Sequence, residues 1–317
     1  MKCVVTGAAG FVGSSITDEL LAKGHEVVGV DCFVDYYPRQ IKERNLSRAM
    51  DHNNFTFREE DLAHADCREL LYGADWVFHQ AAQAGVRASW GNSFSIYTDN
   101  NILATQRLLE AARDHEIRAT LKKIVYASSS SIYGNAETLP TSELTLPQPV
   151  SPYGVSKLAA EHLMVLYAKE FGLPTVSLRY FTVYGPRQRP DMAIHRFIRS
   201  GLTGDPCFVF GDGEQTRDFT FIKDIVRANL AAAETPTNEL VFNIGGGARV
   251  GLRSVIGTIE ELLGHKLPIE FRSREAGDAR HTGADISRAR SLLKYEPQVS
   301  IRDGLAAEIE WLGESLS

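Results

Sequence analysis

The sequence predicts an α/β protein with a doubly wound parallel sheet and a smaller C-terminal α/β lobe. Short apolar runs typical of buried strands alternate with longer segments whose apolar residues recur at helical spacing. After about residue 180, glycine and proline become frequent, which indicates a change of organisation. A chain of 317 residues has room for one large α/β unit and a second, smaller lobe.

Predicted strands and helices alternate along the first 180 residues. Five segments have the apolar pattern of buried strands, at 2–6, 25–30, 76–79, 123–127 and 175–179. Three others have helical periodicity, at 11–21, 101–112 and 156–171. Parallel strands need long crossover connections, and helices of this length supply them. The chain is expected to return to the same sheet between about residues 218 and 244.

Composition excludes several classes of function. The net charge is −6, which offers no basic surface for nucleic acid or for an anionic membrane. No apolar run approaches the roughly 20 residues of a membrane span, and the first residues lack a signal-peptide pattern. The four cysteines are scattered without a C-x-x-C pair, so neither a metal site nor a disulfide framework is expected. These features favour a cytoplasmic protein.

A glycine-rich turn follows the first predicted strand. Gly7, Gly10 and Gly13 have the spacing G-x-x-G-x-x-G and open a predicted helix, with Phe11 and Val12 inside the motif. Glycine permits a tight turn and close approach of a pyrophosphate, while the helix N-terminus offers free N–H groups. This strand–turn–helix setting predicts a Rossmann-type site for a dinucleotide.

Asp31 ends the second predicted strand, where a carboxylate can accept hydrogen bonds from the adenosine ribose. It would repel a 2′-phosphate, and Cys32-Phe33 offers no arginine to bind one, so NAD is favoured over NADP. The alternative is that Asp31 merely caps the strand. Asp61 and Leu62, after the third strand, are candidates for the adenine pocket, although an ordinary loop aspartate is equally consistent with the sequence.

Tyr153 and Lys157 are four residues apart and share one face of a predicted helix. A phenol with a pKa near ~10 is a poor base at neutral pH, but a neighbouring ammonium stabilises the phenolate and lowers that pKa. Such a pair also arises by chance on amphipathic helices. The serines at 128–131, directly after a predicted strand, strengthen the catalytic interpretation because ligands bind at the carboxyl ends of parallel strands.

These motifs together resemble the extended short-chain dehydrogenases/reductases that act on nucleotide sugars. The resemblance rests on the Gly7 motif, Asp31, S-S-S-S-I-Y-G at 128–134, Y-x-x-x-K at 153–157 and R-D-F-T-F-I-K-D at 217–224, and it covers essentially the whole chain. It implies an NAD-binding Rossmann domain at 1–180 with about 218–245. The lobe at 181–217 and 246–317 would bind a UDP-sugar.

Family positions imply further roles. Ser129 would be the hydroxyl partner of Tyr153, and Asn101, near the cofactor helix, would contact the cofactor. Ala81, in the H-Q-A-A string at 79–82, would contact the cofactor, whereas His79 would be structural. The helices at 101–112 and 156–171 are those through which relatives often pair, so a homodimer is expected.

A narrower resemblance is to UDP-glucuronic acid 4-epimerases. It rests on F-T-V-Y-G-P-R-Q-R-P-D-M at 181–192 and A-G-V-R at 84–87. It implies inversion at C4 of UDP-glucuronic acid, giving UDP-galacturonic acid through a transient 4-keto intermediate. Arg189 could bind the glucuronate carboxylate bidentately, and the hydroxyls of Ser130, Ser131 and Thr182 could donate further hydrogen bonds to it. A surface arginine is the alternative for Arg189.

The nucleotide contacts and the outcome of the reaction leave alternatives open. Candidates for the diphosphate and uridine are Arg87, Arg217, Arg274 and Asp278, with surface salt bridges as the alternative. UDP-glucuronate decarboxylases typically carry glutamate where Ser131 stands, and 4,6-dehydratases carry an acidic pair at 130–131. Another UDP-sugar 4-epimerase, a net dehydrogenase or an NAD-binding regulator without chemistry are the remaining alternatives.

Overall fold

The computed structural model describes residues 1–273 and 277–316. The strands are β1 Lys2–Thr6, β2 Glu26–Asp31, β3 Phe55–Glu59, β4 Trp76–His79, β5 Lys123–Ser129, β6 Thr175–Tyr180, β7 Val183–Tyr184, β8 Cys207–Phe210, β9 Thr216–Asp218, β10 Thr220–Phe221, β11 Val241–Ile244, β12 Arg249–Gly251 and β13 Ile269–Arg272. The helices are α1 Phe11–Ala22, α2 Arg39–Met50, α3 Cys67–Leu71, α4 Phe94–Tyr97, α5 Ala104–Ala112, α6 His115–Thr120, α7 Pro152–Phe171, α8 Ala193–Thr203, α9 Ile222–Glu234, α10 Leu252–Leu263, α11 Ser287–Leu293 and α12 Ile301–Leu316.

Seven of the described strands form one parallel sheet in the order β3-β2-β1-β4-β5-β6-β11. Apolar side chains are buried on both of its faces. One face packs against α1, α9 and α11, and the other against α3, α5 and α7. The predicted fold class, a doubly wound parallel sheet, is therefore confirmed.

The strand order reverses at β1, whose neighbours are β2 on one side and β4 on the other. The segments that follow β1 and β4 run toward opposite sides of the sheet. A crevice therefore opens between these segments at the carboxyl ends of the two strands. The glycine-rich turn lies at this point, between β1 and α1. The topology thus places the predicted dinucleotide site at the switch point of the sheet.

The second half of the chain builds its own apolar cluster outside the sheet. Helices α8, α10 and α12 pack around it through buried side chains, among them Phe197, Val255 and Leu305. Strand β11 lies between these elements in sequence but pairs with β6 of the central sheet. Helix α11, assigned by the sequence to the second lobe, packs against the sheet cluster. The two-domain division with its residue bounds stays a prediction.

The segment expected to be one helix at 101–112 is two elements. A π-helix spans Thr98–Leu103 and leads directly into α5. The N–H of Ala104 donates to the carbonyl of Asp99, five residues back, which is the π pattern. Its cause is tertiary, because the Asn101 amide is bound to the backbone of Gln83 on a neighbouring segment.

Helix α7 begins at Pro152, four residues before the predicted start. The hydroxyl of Ser151 caps it by accepting from the N–H of Gly154 at 3.1 Å, and proline suits the first helical position. Gly172, with φ of 65°, ends the helix in the left-handed conformation. Tyr153 therefore lies in the first turn. No helix in the described part of the chain combines the length and apolarity that crossing a membrane requires.

Candidate active site

A cavity of about 670 Å³ opens at the carboxyl ends of the central strands. Its walls come from both halves of the chain. The predicted residues that line it are Gly7, Gly10, Phe11, Val12, Gly13, Asp31, Asp61, Leu62, Ala81, Arg87, Ser129, Ser130, Ser131, Tyr153, Lys157, Thr182, Arg189, Arg217 and Asp278. Residues separated by up to 271 positions in the sequence thus meet around one cavity, which is large enough for a nucleotide-sized ligand.

The glycine turn is shaped by close backbone packing. Gly7 has φ of +68°, and a Cβ there would lie 2.7 Å from the nitrogen of Ala81. A Cβ at Gly13 would lie 2.1 Å from the carbonyl oxygen of Gly7. Helix α1 starts immediately after Gly10, and no side chain caps its first N–H groups. Backbone donors at a positive helix end are thereby presented to the cavity, which fits a dinucleotide pyrophosphate.

Asp31 is held by two backbone donors, the N–H of Ala9 at 3.1 Å and that of Phe33 at 2.9 Å. Burial raises the pKa of its carboxyl group, and these hydrogen bonds oppose the shift. Arg39, which the sequence analysis missed, packs over the Phe33 ring with its Cζ 4.2 Å from the ring centroid. Its guanidinium is paired with Glu59 at 2.8 and 2.7 Å. Because Glu59 already binds the Arg39 guanidinium, the site suits the ribose hydroxyls of NAD better than the 2′-phosphate of NADP.

Tyr153, Ser129 and Lys157 all line this cavity. The pKa of the Tyr153 phenol is raised, whereas the sequence predicted that Lys157 would lower it. Burial raises the pKa of the Tyr153 phenol, while a hydrogen bond from Ser129 and the positive charge of Arg189 lower it. Burial lowers the pKa of Lys157 to about 7, and Glu161 opposes that shift. The ammonium nitrogen lies 4.7 Å from the centroid of the Tyr126 ring, a cation–π contact that the sequence did not indicate.

Arg189 reaches the same cavity from the segment between β7 and α8. Its Nε and Nη2 donate to the two carboxylate oxygens of Asp191 at 2.9 and 3.0 Å. Thr182, Ser130 and Ser131 line the cavity as well. The structure thus gathers a cation and three hydroxyl groups near the Tyr153 phenol, an arrangement able to hold a carboxylate.

The outer end of the cavity contains the nucleotide candidates. Arg87 donates to Asp278 at 2.6 Å, and its guanidinium carbon lies 4.1 Å from the centroid of Phe210, an aromatic that the sequence analysis missed. Arg217 donates through Nη1 to the carbonyls of Thr216 and Arg280, each at 3.0 Å. Arg274 lies outside the described residues.

Two predicted polar residues lie behind the cavity wall. Asn101 accepts from the N–H of Gln83 at 2.7 Å and donates to its carbonyl at 3.1 Å and to Ser156 Oγ at 2.8 Å. Asn101 therefore shapes the segment that lines the cavity. His79 is buried between the hydroxyls of Thr6 and Thr105 at 2.8 and 2.9 Å, and burial lowers its pKa to about 3. A neutral, fully packed imidazole has a structural role.

Comparison with known proteins agrees with this geometry. A sequence profile described as the NAD dependent epimerase/dehydratase family matches residues 3–245. The chain belongs to this family. Within this NAD dependent epimerase/dehydratase family, a Bacillus subtilis (strain 168) protein named uncharacterized UDP-glucose epimerase YtcB is 48% identical over 98% of both chains.

Two further relatives carry more specific names. The UDP-glucuronate 4-epimerase of Thermodesulfobacterium geofontis (strain OPF15) is 39% identical over 99% of this chain and 96% of its own. The crystal structure of UDP-glucuronic acid 4-epimerase from Bacillus cereus, in complex with UDP-glucuronic acid and NAD, is 45% identical. It superimposes with a TM-score of 0.95 over 100% of both chains.

Proposed function

We propose that this protein is an NAD-dependent 4-epimerase that converts UDP-glucuronic acid to UDP-galacturonic acid through a transient 4-keto sugar. The observation that carries the proposal is the position of Arg189, a carboxylate-binding cation in the same cavity as Tyr153 and Ser129. The relatives of Thermodesulfobacterium geofontis and Bacillus cereus, both named for this activity, support it.

The residues present fit NAD. The Gly7–Gly13 turn and the start of α1 would hold the pyrophosphate, because a side chain there would collide with the backbone that shapes the turn. Asp31 would accept from the adenosine ribose, and Asp61, Leu62 and Ala81 would complete the adenosine side of the site. When bound, NAD supplies a hydride acceptor for the C4 hydrogen and later the donor that returns it.

Tyr153 is the base that removes the proton from the C4 hydroxyl. Ser129 shares this hydrogen bond and so orients the hydroxyl toward the phenolate. The Lys157 ammonium stabilises the phenolate through its charge, and the Tyr126 ring beneath it holds the ammonium in place. In the return step Tyr153 delivers the same proton to the oxygen at C4.

Inversion requires that the opposite face of the 4-keto ring meets the same catalytic groups. Arg87 and Arg217, at the outer end of the cavity, would hold the diphosphate while the sugar turns. The 4-keto uronate is a β-keto acid and loses carbon dioxide most readily when its C5–C6 bond stands perpendicular to the carbonyl plane. Arg189, Thr182, Ser130 and Ser131 would hold the carboxylate away from that geometry.

The deciding experiment is proton NMR of UDP-glucuronic acid incubated with the protein and catalytic NAD. We expect signals of UDP-galacturonic acid, with the carboxylate retained. A UDP-pentose product would show a decarboxylase and overturn the argument from Ser131. Conversion of UDP-glucose with no conversion of UDP-glucuronic acid would show a hexose epimerase, as the name of the Bacillus subtilis relative suggests.

We also propose a homodimer in the cytoplasm. Exposed apolar side chains lie on the two helical segments through which the resemblance predicts pairing, among them Leu103, Val155 and Leu166. Val155 and Leu166 are three helical turns apart on one face of α7. A single mass near 70 kDa in light scattering, twice that of a 35.0 kDa chain, is expected; a monomer would overturn the proposal. Fractionation of source cells would test the location.

A further inference from the structure

The loop between β2 and α2 extends along the cavity to Arg189 and Asp191. The Tyr36 hydroxyl on this loop donates to Asp191 Oδ2 at 3.2 Å, and its ring centroid lies 5.7 Å from the Arg189 guanidinium carbon. The hydroxyl also packs closely on Gly85, where φ is +105° and a Cβ would lie 2.2 Å from the Tyr36 oxygen. Tyr36 therefore joins three separate segments at one point.

Asp191 occupies one edge of the Arg189 guanidinium. Its two oxygens accept from Nε and Nη2, which fixes the plane of the fork. A guanidinium has five N–H donors in rigid geometry, so the Nη1 edge stays oriented and able to bind a second anion. Both residues line the cavity, and their side chains are 21% and 38% exposed, respectively.

The loop that carries Tyr36 is itself anchored. It starts at Asp31, whose Oδ1 accepts from the N–H of Phe33 at 2.9 Å. Val34 O accepts from the N–H of Tyr36 at 2.8 Å and from Lys42 Nζ at 2.5 Å. These bonds place the Tyr36 hydroxyl at a defined position relative to the cofactor side of the site.

We propose that Asp191 and Tyr36 are positioning residues that keep the 4-keto uronate from losing carbon dioxide. They do so by holding the plane of Arg189, so that the guanidinium cannot follow the substrate carboxylate as it rotates. This inference rests on the proposed function of the site. It goes beyond that function because it assigns control of the reaction's outcome to two residues that contact Arg189.

The side reaction defines what the pair suppresses. The C5–C6 bond of the 4-keto uronate breaks, carbon dioxide leaves, and the electron pair forms an enolate whose oxygen lies on C4. A proton from solvent at C5 then gives a 4-keto pentose. Return of the C4 hydride from the reduced cofactor would convert this ketone to the UDP-pentose, so that no external oxidant or reductant is consumed. Freedom of the carboxylate to move until the C5–C6 bond stands perpendicular to the carbonyl plane accelerates this step.

Asp191 has a second, opposing effect on affinity. Its negative charge neutralises Arg189 and faces the incoming carboxylate, so it weakens binding of a uronate but not of a neutral hexose. Asp191→Asn is therefore expected to bind UDP-glucuronic acid more tightly and yet release more pentose. A residue with a merely structural role would lower affinity for both sugars when replaced.

The test compares Tyr36→Phe and Asp191→Asn with the wild type and with two control variants. Tyr72→Phe removes an exposed hydroxyl and Asp51→Asn an exposed carboxylate at the end of α2, both remote from the cavity. NMR measures the ratio of UDP-pentose to UDP-galacturonic acid. Calorimetry with UDP-glucuronic acid and UDP-glucose, on the same proteins carrying Tyr153→Phe as well, measures affinity without turnover. Thermal melting verifies folding.

We expect the pentose fraction to rise about 3- to 10-fold in Tyr36→Phe, which loses one hydrogen bond to a carboxylate, and at least about 10-fold in Asp191→Asn. Affinity for UDP-glucuronic acid should rise about 3-fold or more in Asp191→Asn, with UDP-glucose unchanged. The controls should match the wild type in every measurement.

Two results would overturn the inference while leaving the epimerase intact. One is a wild-type product ratio in both variants, and the other is an equal loss of affinity for both sugars. If Asp191→Asn fails to fold, Tyr36→Phe decides alone, because it keeps the ring and its packing. Absence of UDP-galacturonic acid from the wild-type reaction would instead overturn the proposed function, and the inference with it.

Discussion

Gly13→Ala is the sharpest test of the cofactor site, because the added atom would meet backbone and not a flexible side chain. The ideal Cβ would lie 2.1 Å from the Gly7 carbonyl oxygen and 2.7 Å from its carbon. Real Cβ contacts essentially never fall below 3.0 Å, so the turn at Gly7 has to move by about 0.9 Å. That turn is the part of the chain that would cradle the pyrophosphate.

The expected magnitude follows from two opposing effects. Overpacking a tight contact costs about 1–3 kcal/mol, while alanine in a helix gains up to about 1 kcal/mol over glycine. The free energy of unfolding without NAD should therefore fall by about 1–2 kcal/mol. NAD affinity should fall further, by about 30-fold or more, since the displaced turn would form the binding surface for the pyrophosphate.

Urea denaturation without added NAD and calorimetric titration with NAD measure these two quantities. Gly257→Ala is the matched control, because Gly257 lies inside α10 and a Cβ there meets no atom within 4 Å. This control should gain about 0.5–1 kcal/mol of stability and keep wild-type NAD affinity. Wild-type NAD affinity in Gly13→Ala would refute the assignment of this turn to the pyrophosphate.

Three further variants test the chemistry. Tyr153→Phe should lower the epimerisation rate by about 10²- to 10⁴-fold with UDP-sugar affinity within about 3-fold, by NMR kinetics and calorimetry; near-normal turnover would exclude Tyr153 as the base. Burial lowers the pKa of Lys157 to about 7 in the folded state, against 10.5 for the ordinary side chain. Charging Lys157 therefore destabilises the fold, most strongly below pH 7. At pH 6 the free energy of unfolding of Lys157→Met should exceed that of the wild type by about 2–4 kcal/mol. That gain should shrink as the pH rises from 7 toward 10.5, and a pH-independent gain in urea titrations would contradict it. Arg189→Ala should weaken the binding of UDP-glucuronic acid at least about 10-fold more than the binding of UDP-glucose, as measured by calorimetry. An equal loss of affinity for both would contradict a role of Arg189 in binding the carboxylate.

Local sequence signals were sufficient for much of the fold and of the candidate site. The glycine spacing predicted the start of α1 at Phe11, and apolar runs predicted β1 and β4 with their observed bounds. The start of α7 at Pro152 could have been predicted too, because Ser151 followed by proline is a typical helix start.

Features created by contacts between distant segments could not be predicted in this way. The π-helix depends on Asn101 binding the backbone of Gln83, a contact that no local pattern encodes. Asp191 is two residues from Arg189, yet its contact with Tyr36, 155 positions away, emerges only when the loop after β2 folds over the cavity. Arg39 was overlooked for the same reason, since its pairing with Glu59 joins the start of α2 to the end of β3.

The passage of the chain through the sheet limits how such an enzyme can be re-engineered. The polypeptide leaves the central sheet after β6, returns as β11 and leaves again. The Asp218 carboxylate, at the end of β9, joins the segments after β11 and before α11. It accepts from the N–H groups of Gly246 at 2.5 Å and Ala284 at 3.1 Å. No single cut therefore separates the proposed sugar-binding portion as a transplantable module. Sugar preference is more readily exchanged between relatives by replacing individual side chains than by recombining segments.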